Sequence, residues 1–269
     1  MNKKKKQKLA KDWFISLQNT ICYEVEKLEK EYGSKAKFNK NRWKHGEFRI
    51  IKGKVIEKGG VAFSNVKGRF SKKFAKKIPG TKNNLSFWSS GVSVVLHPLN
   101  PKIPAMHFNT RFICTSKNWF GGGMDVTPNL KDNNEKKYFH NKLKKMCDSH
   151  NKKYYSKYKK WCDKYFYINH RNEPRGIGGI FFDYKMDNWE KDFYFIKDVG
   201  KFFVYILKQI IRKKMFKKWT NKDKKKQLLK RGRYVEFNLM YDRGTKFGLN
   251  SGGNPEAILM SMPPIAKWE

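Results

Sequence analysis

The sequence predicts a single α+β domain in which helices pack around a mostly antiparallel β-sheet. Three observations carry this. Two long amphipathic segments lie at residues 8–32 and 189–214, runs rich in β-branched and aromatic residues with period-two alternation lie between them, and no internal repeat or linker interrupts the 269 residues. Length alone allows one large domain or two small ones. With 39% hydrophobic and 16% aromatic residues there is ample material for a core, which excludes a disordered basic tail.

Residues 8–32 place Leu9, Trp13, Leu17, Ile21, Val25 and Leu28 at three- and four-residue steps, with Gly33 following as a C-cap, so an amphipathic helix is expected there. FRIIKGKVIEKGGVAFS (48–64) reads as strand, turn and strand, and the polar stretch 71–88 as a loop. GVSVVLHP (91–98) and MHFNTRFICT (106–115) read as two strands joined through LNPKIP. WFGGGMDVTP (119–128) reads as a glycine-shaped loop presenting Asp125; a phosphate-binding loop is the weaker alternative, since no GKS/T pattern follows. Residues 132–149 and 152–168 read as helices, with His140 on the first and His170 just after the second. RGIGGIFFDY (175–184) is expected as a buried strand entered through a glycine turn, with Arg175 at its mouth. After the helix at 189–214 and the basic segment 217–230, GRYVEFNLMYDRGTKFGL (232–249) is expected as an alternating strand ending in Asp242, Arg243 and Lys246. The closing NSGGNPEAILMSMPPIAKWE reads as a glycine loop leading to a last short strand.

The 61 Lys and Arg against 23 Asp and Glu give a net charge of +38, which invites a polyanion as partner. The distribution argues otherwise. Basic residues are spread along the whole chain, and only ten of the 61 are arginine, the residue favoured for bidentate and stacked contacts. The charge is therefore read as compositional drift on a lysine-rich surface, with no specific nucleic-acid partner. No apolar run approaches the roughly 18–20 residues of a bilayer span. The basic start, MNKKKKQKLAKDW, continues with charge where a secretion signal would turn apolar. Cys22, Cys114, Cys147 and Cys162 show no paired metal or redox spacing, so reduced thiols in a cytoplasmic protein are expected.

Alternation along the two central strands points to a site. Ser93 and His97 share one face opposite Val92, Val94 and Leu96, while His107, Asn109 and Arg111 share a face opposite Phe108, Thr110 and Phe112. If the strands are neighbours with these faces aligned, Ser, His, His, Asn and Arg converge on one side of a sheet. A solvated face is the bland alternative, but exposed positions in this chain are overwhelmingly lysine. A site is the reading taken.

GVSVVLHPLNP, HFNTRF, WFGGGMDVTP, YKKWCDKYFYINHRNEPRGIGGIFFD, RGRYVEFNLMYDRGTKFGL and ILMSMPP, in this order, resemble the oxygen-dependent coproporphyrinogen III oxidases. The resemblance runs from about Trp13 to Trp268. It implies a homodimer of one-domain subunits, each with a large flat antiparallel sheet sandwiched between helices. It implies aerobic oxidative decarboxylation of two propionates of coproporphyrinogen III to vinyl groups, with O2 as co-substrate, protoporphyrinogen IX, CO2 and H2O2 as products, and no organic cofactor. It assigns proton donation to His107 and substrate contact to Ser93, Asn109, Thr110, Arg111 and the loop carrying Gly252, Gly253 and Asn254. It also implies a possible divalent-metal set of His97, His107, His140 and His170, and dimer contacts from the stretch around 233–268.

The chemistry agrees with the residues. A tetracarboxylate substrate calls for cationic forks, for which Arg111, Arg175 and Arg243 are candidates, with Asp242 beside the last. Asp125, read as catalytic with His107, would accept hydrogen bonds from pyrrole N–H groups and stabilise positive charge at the macrocycle's centre. A histidine ordinarily titrates near neutral pH, which suits a proton donor. No HxH or HxxxH spacing advertises a metal, so a metal-free oxidase and a four-histidine site both stand open. Against the family pattern, Asn254 replaces an expected arginine, the glycine-rich run after Trp43 is shortened to WKHGEFR, and the chain stops at Glu269 before a further C-terminal segment. A polyanion-binding protein and a histidine metallohydrolase are the competing functional classes.

Overall fold

In a β-strand the side chains alternate between two faces, and that alternation organises the whole molecule. The computed structural model describes residues 1–76, 78–250 and 253–269. α1 (Lys3–Glu31) leads into β1 (Asn39–Trp43), β2 (Gly46–Ile51) and β3 (Ile56–Arg69); the one-turn α2 (Lys72–Ala75) then precedes β4 (Ser86–Pro98), β5 (Ala105–Cys114) and β6 (Asn118–Thr127). α3 (Asn133–Asp148) and α4 (Tyr154–Tyr165) follow. A two-residue ladder of β7 (Tyr167–Ile168) and β8 (Glu173–Pro174) brackets a 3-10 turn, and β9 (Gly178–Lys185) comes next. The main sheet is seven-stranded in the order β1-β2-β3-β4-β5-β6-β9, antiparallel throughout. β9 therefore joins the far edge of a meander. The expected flat antiparallel sheet among helices is what forms.

One face of the sheet is apolar. Val92, Val94, Leu96, Phe108, Phe112, Met124 and Phe182 are buried there against α1 and α5 (Trp189–Lys214). α1 contributes Phe14, Leu17, Ile21, Val25 and Leu28, the stripe legible in the sequence, and Gly33 closes it at φ +82°. Each such side chain removed from water is worth about 1.5–3 kcal/mol. Glu29, fully buried at the end of α1, accepts backbone N–H bonds from Lys54, Val55 and Ile56 at 2.7–3.0 Å and so fixes the turn between β2 and β3.

The other face is polar and is partly roofed by α6 (Asn221–Met240), α7 (Arg243–Asn250) and α8 (Pro255–Leu259). Three sequence expectations are corrected here. Residues 232–249 are helical, broken only at Tyr241 and Asp242, and not strand: α6 starts at a capping box between Thr220 and Asp223, and Gln227, Arg231, Tyr234, Phe237 and Asn238 bury one helical stripe. The short alternation in GRYVEF fits either period, and the longer run beginning at Asn221 decides for the helix. The C-terminal strand is instead α8, capped by the Asn254 side chain with Pro255 at its first position. The glycines of WFGGGMDVTP lie inside β6, not in a loop. A Cβ on Gly123 would collide with the Ile180 carbonyl, so these residues let β9 pack against β6 without side chains between them.

Thr220→Ala is expected to lower unfolding free energy by about 1 kcal/mol through loss of the cap. A lower urea midpoint with an unchanged slope would show it, whereas a strand over 232–249 predicts no effect.

Candidate active site

The strand registers lay the polar residues out in transverse rows on the helix-roofed face. Val95, His107, Asp125 and Gly179 form one row; Ser93, Asn109, Gly123 and Phe181 the next; Gly91, Arg111 and Gly121 a third. The aligned face inferred from alternation in 91–98 and 106–115 is thus present, and β6 extends it. Ser93, His107, Asn109 and Arg111 are all half-buried, at the open part of this face.

At its foot lies a buried ion pair. Arg175 Nη2 donates to both oxygens of Asp125 at 2.7 Å, and each side chain is 1% exposed. The guanidinium is enclosed by Phe166, Tyr234 and Phe237, whose ring centroids lie 4.1–4.8 Å away. His107 Nδ1–H donates to Asp125 Oδ1 at 2.8 Å. Burial pushes the Asp125 carboxyl upward, but Arg175 and His107 more than offset it and its pKa falls below the ordinary aspartate value. Burial alone would lower the pKa of Arg175; Asp125 raises it instead, so the pair is ionised. Because a carboxylate can only accept, Nδ1 of His107 carries the proton and Nε2 is turned from it. The ring edge packs on Phe166, and the side chain keeps 21% of its surface in solvent. Asp125 thus fixes the ring's tautomer and orientation and leaves Nε2 as its other polar atom.

Two expected contacts are corrected by this geometry. Arg175, expected as a cationic clamp, is sealed away from the open face, with its Nη2 on Asp125. Asp125, expected to meet pyrrole N–H groups, is enclosed as well, with His107 bonded to it on the side of the open face. Thr110 is also corrected: it is fully buried on the apolar face, one residue out of phase with Asn109 and Arg111. Arg111 sits at the open side, with Nη2 on Asp183 Oδ2 at 2.7 Å and Nη1 on Asn109 Oδ1 at 3.3 Å. Arg243, exposed on α7, stacks over Tyr165 and Phe181 at 5.1 and 5.8 Å, which brings a second cation to the same face. Asp242 is occupied elsewhere, accepting from Tyr165 Oη at 3.0 Å and from the Thr245 N–H at 2.7 Å. Gly253 donates its N–H to the Gly248 carbonyl, and Asn254 caps α8; Gly252 lies outside the described residues.

The four histidines do not assemble into a metal site. His97 is buried with Nε2 on the Ser261 carbonyl at 2.9 Å, and burial lowers its pKa to about 3. His140 holds the Ile177 carbonyl and Tyr155 Oη, and burial lowers its pKa too. His170, on the surface, holds Tyr241 Oη and Glu236, each at 2.7 Å. Among the described residues no group of three or more His, Cys, Asp or Glu is placed to hold a metal ion. The donor set implied by resemblance does not fit a shared metal in this chain.

Sequence reasoning missed the aromatic box and Asp183. Tyr234 and Phe237 were hidden by the strand reading of 232–249, although their three-residue spacing is helical. Asp183 follows Gly179 and Phe181 at period two in RGIGGIFFDY, which would have placed it on the site face.

Known proteins resemble the chain along its whole length. The coproporphyrinogen III oxidase family profile matches residues 9–269. The chain is 50% identical, over the full length of both proteins, to the oxygen-dependent coproporphyrinogen-III oxidase of Rickettsia bellii (strain RML369-C). The enzymes of the same name from Rickettsia prowazekii and Rickettsia typhi are 50% and 49% identical over their full lengths.

Replacing the buried carboxylate, Asp125→Asn, leaves Arg175 without its counter-charge and is expected to cost about 3–5 kcal/mol at neutral pH. The folded pKa of Asp125 is depressed, so its contribution is full above about pH 4, the unfolded value, and is lost as pH falls through the lower folded value. Denaturant unfolding at pH 7 and at pH 3 should show the gap between the two proteins narrowing in acid.

Proposed function

The chain belongs to the coproporphyrinogen III oxidase family, and from that premise we propose that it carries out the oxygen-dependent reaction for which its relatives are named, on the polar face of the sheet beneath α6, α7 and α8. The observation that carries the reading is the buried Arg175–Asp125–His107 chain, which ends in an imidazole at the open floor beside Arg111, Asn109 and Ser93. Coproporphyrinogen III is a flexible tetracarboxylate, and Arg111 and Arg243 receive its carboxylates through charge-assisted hydrogen bonds. Asn109 and the Ser93 hydroxyl orient the propionate next to them.

For each propionate, CO2 leaves and the side chain gives up the equivalent of a hydride, leaving a vinyl group. O2 accepts the two electrons and, with that hydrogen and one further proton, departs as H2O2. The reduced pyrrole itself is the partner of O2, so the protein supplies position, charge and the proton. His107 is the proton donor at Nε2; Asp125 holds its ring and stabilises its charged form, and Arg175 holds Asp125. No step passes through a metal.

The protein is further read as a cytoplasmic homodimer. No helix among the described residues is long and apolar enough to cross a membrane. Leu239, Met240, Ile265 and Trp268, in the C-terminal stretch that the resemblance associates with dimer contacts, are 48–55% exposed.

Anaerobic incubation with coproporphyrinogen III followed by air is expected to yield protoporphyrinogen IX, equally with and without chelator. His107→Gln is expected to lower kcat by about 10²–10⁴-fold, the range for loss of a positioned proton donor. A His107→Gln enzyme turning over at the normal rate would remove the histidine from the mechanism.

A further inference from the structure

We propose that Asp183 is a positioning residue for substrate recognition: it holds the Arg111 guanidinium over the bare backbone of Gly121, in the orientation that receives a carboxylate. The inference rests on the reading of Arg111 as a substrate-binding arginine.

Four features converge on Asp183. Its Oδ2 accepts from Arg111 Nη2 at 2.7 Å, and its Oδ1 accepts the Tyr184 N–H at 3.1 Å, so both oxygens are used and the carboxylate cannot swing. The Asp183 side chain is only 8% exposed while that of Arg111 is 29% exposed. The anion is thus the fixed member and the cation reaches from it toward the open face. β9 carries a bulge here: Phe120 pairs with Lys185 but Gly122 with Phe182, leaving an extra residue on β9 opposite Gly121. Tyr184 adopts φ +53°, a left-handed conformation rare for an aromatic residue. Alternation along β9 puts Asp183 on the site face, and the bulge with its strained Tyr184 comes directly after it, leaving Asp183 opposite Gly121 with the Tyr184 N–H on its Oδ1.

Gly121 completes the arrangement. A Cβ there would lie 2.5 Å from Asp183 Oδ1 and 3.0 Å from Arg111 Nη2, so a side chain at this position would displace the ion pair from its present place. With Nη2 on Asp183 and Nη1 on Asn109, the guanidinium is fixed in plane before substrate arrives, and its remaining N–H groups are available to a propionate. An arginine held this way does not lose rotamer freedom again on binding.

The test is a double-mutant cycle on KM and kcat for coproporphyrinogen III. Asp183→Ala is expected to raise KM about tenfold, the loss of part of one charge-assisted contact, with kcat changed less than about threefold. In an Arg111→Ala background the same change should add nothing, because Asp183 acts through Arg111. Gly121→Ala splits the pair without removing a charge and should raise KM in the same way. Asp183→Asn keeps the acceptor for the Tyr184 N–H and covers the case in which the alanine variant does not fold; an intermediate KM is expected. An unchanged KM in Asp183→Ala, a fall in kcat alone, or an equal rise in KM in both backgrounds would overturn the proposal. An Arg111→Ala enzyme with normal KM would instead overturn the reading of Arg111 itself.

Discussion

The Asp125–Arg175 ion pair is the constraint around which the polar half of the molecule is arranged. Two charges withdrawn from water are costly unless their geometry is close and their other valences are met. Asp125 meets this with two bonds from Arg175 and one from His107; Arg175 is covered by three aromatic faces, while its buried Nε has no hydrogen-bond partner. Those aromatics come from the segment after α4 and from α6, so the roof over the sheet is needed by the pair as much as by any ligand. The ionised carboxylate in turn fixes the imidazole's tautomer. A stability requirement and a chemical one are satisfied by the same three side chains.

The rest of the face divides by depth. Buried groups hold one another: Arg231 Nη2 bonds Glu57 and the Pro98 carbonyl, and His97 bonds the Ser261 carbonyl while its ring edge meets Tyr234. These contacts tie β3 and β4 to α6 and to the segment after α8. Half-buried groups, Ser93, His107, Asn109 and Arg111, keep donor or acceptor capacity in reserve. Residue type alone does not separate the two sets, since arginine and histidine occur in both. Burial does, and it sets Arg175 apart from Arg111, its equal as a candidate in the sequence.

Much of the sheet was legible because alternation has a period of two and these strands are long. GVSVVLHP and MHFNTRFICT declare an apolar and a polar face, and the neighbouring register follows once the strands pair. The helices at 8–32 and 189–214 were legible for the matching reason, a sustained stripe at three- and four-residue steps. The region 232–249 was not, because a few residues of GRYVEF satisfy both periods and the deciding cap, Thr220 with Asp223, lies a dozen residues upstream. The glycines at 121–123 signal loop chemistry locally, whereas their role is set by what crosses over them. Burial of Arg175 was illegible for the same reason: its aromatic box is assembled from residues up to 62 positions away. The charge of +38 carried little information about the site, since the arginines that matter are a handful among lysines.

The order of strands in the sheet also bears on how this centre is assembled. From β1 to β6 each strand pairs with its predecessor, so these ladders join neighbours in sequence, with only the β3–β4 connection carrying a helical turn of its own. Asp125 and His107 are brought together within that meander, 18 residues apart. The counter-ion Arg175 lies 50 residues beyond Asp125, and its aromatic cover on α6 lies further still. Loop-closure entropy grows with that separation, so neutralising the carboxylate costs more chain entropy than pairing it with His107. The centre is thus completed only when β9's leading turn and α6 have both reached β6, and an intact, covered Asp125–Arg175 pair reports that these three elements have met.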